Sequence, residues 1–179
     1  MPVSDQRAMR VYVPATVPML RELVADRELR AVGGTAFAVT PALREAYASG
    51  DDEELAEVAM GEAARAALRL LVAEREDAKP DDPSPVYRRA VVAADVVGVA
   101  LRPDLDDAVV RLSGPISYSK IASVHVDLAE AEPAVAKAVD VVDAADLGDA
   151  DAEFVLGDAE DHQLAWYAAQ ELPFLLDLL

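Results

Sequence analysis

The chain has 179 residues, 53% of them hydrophobic, and a formal net charge of -18. That apolar content excludes a disordered acidic tail, and the length suffices for one domain with a sizeable core. No run of 18 apolar residues occurs, cysteine is absent, and the acidic balance repels phosphate backbones. A spanning helix, thiolate chemistry and ordinary nucleic-acid binding are therefore not expected.

The first eight residues, MPVSDQRA, are polar and irregular and lack the apolar core of a secretory signal. We expect residues 1–8 to be a mobile leader, residues 9–179 to form a single domain, and the protein to be cytoplasmic. RVYV, Arg10 to Val13, alternates like a strand, and Pro14 is expected to end it. Thr16 and Pro18 then read as the cap and first turn of a helix running to Leu29, with Leu20, Leu23 and Val24 on its apolar face. After Gly33-Gly34, Thr35 to Val39 reads as a second strand. Thr40-Pro41 repeats the strand-to-helix device, and Gly50 closes that helix.

Asp51, with Glu54 three residues on, caps the next helix, which extends to Ala73 with an Ala-rich face. EREDAKPDDPSP, in residues 74–86, is a Pro- and acid-rich surface loop. Arg88 to Asp95 is expected to be a buried strand, followed by strands over Ala108 to Leu112 and Ile121 to Asp127. Pro133 to Ala145 reads as a helix with Val135, Val139 and Val142 on one stripe. Asp158 to Leu172 reads as another, with Leu164, Tyr167, Ala168 and Leu172 on one face. These elements predict an α+β domain: one mixed sheet of about five strands with helices mainly on one face, a two-layer sandwich. The first two strands could be parallel through a right-handed crossover.

Several phrases, namely MRVYVPAT, TAFAVTPALRE, VVAADV and the late VHVD, EAEPAV, DAADLGD, DAEFV and HQLAWYAAQE, give the chain a family likeness. It resembles an uncharacterised actinobacterial domain family of unknown function, over Met9 to Phe174. The resemblance implies no activity, cofactor or catalytic residue. Three Lys against thirteen Arg fit either the codon bias of a GC-rich genome or a salt-adapted proteome.

Candidate sites are sparse. His125 and Asp127 alternate on one strand and would share a face, as a metal-ligand pair or a base with its orienter. Asp158 precedes His162 by four residues, so on a helix both could ligate one ion; alternatively the acids form a first turn stabilised by the helix dipole, with His162 stacking on Trp166. The simpler reading is a satisfied histidine in each case. The acids Asp140, Asp143, Asp146, Asp149, Asp151 and Glu153 form a run that lacks the calcium-loop spacing but could receive a basic partner. No phosphate-binding or nucleophile-elbow motif occurs, and no cofactor is expected. In LPFLLDLL, the apolar Phe174, Leu175, Leu176, Leu178 and Leu179 must dock on their own core or on a second chain. We therefore expect a non-catalytic, protein-binding or regulatory module that binds a partner or self-associates through this tail. The alternatives are a metal-dependent hydrolytic enzyme using His125, Asp127 and His162, and an acidic mimic of nucleic acid.

Overall fold

Met9–Ala15 (β1) is apolar at alternate positions and pairs along its full length with Ala90–Val96 (β4), from Met9↔Val96 to Ala15↔Ala90. This antiparallel pair is the spine of the domain. The computed structural model describes residues 7–179, so residues 1–6 of the expected leader lie outside the described residues.

Around the spine the sheet has seven strands. Ile121–Val126 (β8) and Ala165–Ala168 (β9) follow β4 on one side. Thr35–Phe37 (β3), Val109–Arg111 (β6) and Ala100–Leu101 (β5) extend it on the other. Glu28–Leu29 (β2) and Ile116–Ser117 (β7) form a separate two-residue ladder. Among the described residues every pairing is antiparallel. The α+β class holds, but the sheet is antiparallel rather than mixed and has seven strands rather than five. The expected parallel pair is also corrected: β1 and β3 run antiparallel, with Tyr12 opposite Phe37. Pro14 does not end β1. It ends the ladder with β3 instead, because two residues past Tyr12 it has no N–H to donate, while its strand continues against β4.

Strand alternation divides the core between two faces. Val11, Val13 and Ala15 of β1 join Ala90, Val92 and Ala94 of β4 under Val17–Asp26 (α1) and Leu172–Asp177 (α6). Tyr12, Val91 and Ala93 point the other way. They meet Leu55, Ala59 and Ala63 of the long helix Asp52–Asp77 (α3). Helices thus cover both faces, not mainly one. Glu132–Asp146 (α4) and Ala150–Glu160 (α5) form a hairpin that packs on Leu68 and Leu71 of α3.

The strand-to-helix joints use different means. Thr40 caps Pro41–Ala46 (α2), its Oγ1 accepting from the Leu43 N–H at 3.0 Å. Thr16 makes no capping bond. The expected helix over 158–172 is replaced by the end of α5, a turn, β9 and the start of α6. Its helical spacing was coincidental: Ala165, Trp166, Tyr167 and Ala168 complete a sheet edge by pairing with β8.

The tail docks on its own chain. Leu172, Leu175 and Leu176 are buried in the α1 face, and Arg21 Nη2 donates to the Leu179 carbonyl at 3.3 Å. Phe174 and Leu178 remain exposed. Leu176→Ala should lower the free energy of unfolding by about 2–4 kcal/mol, as for a buried large-to-small change. Leu178→Ala should change it by less than about 0.5 kcal/mol. Urea unfolding of the two variants checks this.

Candidate functional site

Arg89 enters β4 and Asp127 leaves β8, so the ladder between those strands brings the two side by side. Arg89 Nε donates to Asp127 Oδ2 and Nη2 to Oδ1, both at 2.8 Å. The Arg89 N–H also donates to Oδ2 at 2.8 Å, and the Asp127 N–H returns a bond to the Arg89 carbonyl at 3.1 Å. Arg89 is 4% exposed and Asp127 is fully buried. A two-pronged pair of this kind offsets the cost of burying two charges only because nearly every polar atom is met. Arg89 Nη2 reaches further, donating at 2.8 Å to the carbonyl of His162. The clamp therefore ties two central strands to the turn between α5 and β9.

That turn is one wall of a cleft of about 690 Å³. The other wall is α3, which crosses the sheet over β1, β3 and β4 and leaves the β8 side of that face open. Glu57, Glu62 and Arg65 of α3 line the cleft, with His125 on its floor and Glu160, His162 and Leu164 opposite. Gly61 faces open space there: a Cβ at that position would meet nothing within 4 Å.

Both histidines thus reach one cleft. His125 Nε2 is 2.9 Å from the buried Ser123 Oγ, two residues back on the same strand. Burial, with a smaller effect from the nearby Arg10 charge, holds the His125 imidazole below its ordinary pKa and so favours the neutral ring. Asp127 shares the His125 face, but both its oxygens are committed to Arg89. Asp158 is exposed on α5 and does not line the cleft. His162 lies in the turn and Trp166 on β9, so the expected helical stacking does not form; Trp166 is instead opposite His125 across the β8–β9 ladder. Among the described residues no group of three or more His, Asp or Glu converges to hold a metal.

The cleft's fixed cations are already neutralised. Arg65 Nη2 binds Asp146 at 2.9 Å and Glu153 at 2.7 Å, and Arg69 Nε binds Asp146 at 2.7 Å. With Asp140 paired to Arg75, much of the acidic run expected to receive a partner is answered by α3 itself. Glu62 is different. It is half-buried and makes no hydrogen bond or ion pair among the described residues. Burial, and then the nearby Asp106 charge, hold its carboxyl above the ordinary range; Arg65 and Arg69 pull it back, and Glu160 adds the smallest push upward.

The sequence pattern of a family of unknown function, DUF6912, matches residues 9–176. The chain belongs to that family. No curated protein and no solved structure matches the chain. In this DUF6912 domain the matched span includes the clamp, both cleft walls and β9. No helix among the described residues is long and apolar enough to cross a membrane.

Sequence reasoning named His125 and His162 but missed Arg89, Ser123, Glu62 and Glu160. Arg89 carried a signal: a second arginine set directly against the apolar run of β4 needs a buried partner. Ser123 alternates in phase with His125. Glu62 carried none, since it is one acid among many on a long helix.

The sign of the Glu62 effect is testable. A carboxyl raised in the fold gives full stability below its ordinary pKa of 4.5, and stability falls as pH rises through the folded value. Glu62→Gln should therefore be more stable than the parent at pH 7. The two should converge as pH falls below the ordinary value, which urea unfolding across that range checks.

Proposed function

We propose that the domain is a cytoplasmic, non-catalytic binding module whose cleft takes a positively charged group of a protein partner. The observation that carries this is the Glu62 carboxylate, half-buried and without an ion-pair partner among the described residues, in a cleft it shares with Glu57 and Glu160 and whose Arg65 and Arg89 are paired internally. A guanidinium or ammonium placed between Glu62 and Glu160 would supply that partner. The other charges support the same reading. Arg65 and Arg89 are each matched by internal carboxylates, and His125 favours its neutral form. The overall charge of -18 steers a basic partner inward and weakens as salt rises. The exposed Phe174 and Leu178 are a separate apolar surface that a partner could extend onto.

The hydrolytic reading has less support. Asp127 is sealed under Arg89 and cannot serve His125 or a metal. Ser123, though bonded to His125, is buried beside it. The mimic of nucleic acid would need free carboxylates in rows, whereas Asp140, Asp146 and Glu153 are bound to arginines.

Calorimetry with a tetra-arginine peptide tests the proposal. Binding should weaken about five- to twentyfold in a Glu62→Gln, Glu160→Gln double variant, from two ion pairs partly shielded from water. A Glu53→Gln, Glu54→Gln control at the start of α3 should change it less than twofold. Equal losses in both variants would show that net charge alone attracts the peptide, and would overturn the cleft as the site.

A further inference from the structure

The cleft opens beside an unusual edge. β9 is the last strand of the sheet, and among the described residues nothing pairs with its outer side. The opposite edge, β5, is two residues long and bracketed by Gly98 and Pro103, a common way to blunt an edge. β9 has no such device within it: Ala165-Trp166-Tyr167-Ala168 contains no charge, proline or bulge.

Its backbone is also set for pairing. The Ala168 N–H donates at 3.0 Å to the Glu171 carboxylate rather than to β8. Peptide groups two residues apart on a strand face the same way, so the N–H and C=O of Trp166 point outward. The Trp166 ring, 62% exposed, lies on the cleft face next to His125. A strand added there would lie one sheet spacing beyond β9, about 4.8 Å, and its side chains on the cleft face would point past Trp166 toward the cleft.

We infer that the outer edge of β9 receives an extended basic peptide as an eighth strand, with its arginine or lysine side chains crossing Trp166 into the cleft. This rests on the cleft reading above and names how the partner binds. Charge decides the occupant. Glu160, Asp161 and Glu171 flank the strand, and the cleft beside it is lined by Glu57, Glu62 and Glu160 while its Arg65 and Arg89 are paired internally. A second copy of this chain would set the same acids against themselves. A basic segment meets them with opposite charge, gains cation–π contact with Trp166, and takes up the free main-chain groups.

The test uses the intact protein and changes the peptide, so folding is not in question. The probe is Val-Arg-Val-Arg-Val-Arg-Val with blocked ends. Two relatives carry N-methyl groups, one on the arginines and one on the inner valines. Binding is read from fluorescence of Trp166, the single tryptophan, and from hydrogen exchange at its amide. Alternate amides of an extended peptide face opposite sides, so one methylated peptide loses its bonds to β9 and the other does not. The expected result is a loss of about tenfold or more for one methylated peptide only, from two or more main-chain bonds. The Trp166 amide should be protected on binding. If both methylated peptides bind as the parent does, while Glu62→Gln with Glu160→Gln still weakens all three, the edge inference is overturned and the cleft reading stands. If methylation matters and the double variant does not, strand addition stands and the cleft reading fails. Dimerisation of the free protein that protects Trp166 would make a second copy the occupant and overturn the inference.

Discussion

The position of the cleft depends on a single buried ion pair. Arg89 and Asp127 hold the entry of β4 against the exit of β8, and Arg89 carries the turn at His162 with them. Without that third bond the 161–164 segment would have no polar tie to the sheet's centre. With it, the turn that leaves α5 is pinned to the sheet, and space remains between that turn and α3. Such a pair adds little net stability compared with an apolar substitute, but it specifies one arrangement by penalising others. Here the arrangement specified is a cleft wall.

The second constraint is charge. A chain at -18 must place its carboxylates somewhere, and the fold sorts them. Arginines on α3 collect Asp140, Asp146 and Glu153, welding the α4–α5 hairpin to the long helix. Arg10 takes Asp95, and Arg89 takes Asp127. These five arginines are thereby committed to holding the fold. Glu62 is left at the cleft with no ion-pair partner among the described residues, beside Asp106, Glu160 and arginines that pair with other acids. A natural domain tolerates such local tension where a ligand relieves it. The cleft, the exposed tryptophan and the open strand edge lie on one side of the sheet, so one extended partner can engage all three.

Much of the fold was legible in the sequence, and the failures have physical causes. β1, β4 and β8 announced themselves through alternating or continuous apolar runs, and α3 through its cap at Asp51 and its Ala-rich stripe. β9 did not, because a four-residue strand next to two helices shows Leu164, Tyr167, Ala168 and Leu172 at helical spacing. β5, β2 and β7 are two-residue strands, too short for any period to register. Helices on both faces left a signal in β4, where Ala90 to Ala94 is apolar at every position, as in a strand buried on both sides; the Ser123 and His125 face of β8, polar beside the cleft, obscured it. Of the site, the histidines were visible and their meeting was not. Distance in space between residues 125 and 162 is set by the clamp, and neither Arg89 nor Asp127 reveals its partner by spacing.

The most direct measurement is hydrogen exchange on Asp127→Asn, which keeps the shape of the side chain and removes its charge. The account predicts that amides over 161–164 exchange much faster, that those of β1 and the β1-facing edge of β4 stay protected, and that tetra-arginine binding falls with the loss of the wall. Unchanged exchange at 161–164, with binding intact, would contradict it, because the cleft would then stand without the ion pair that is held to build it.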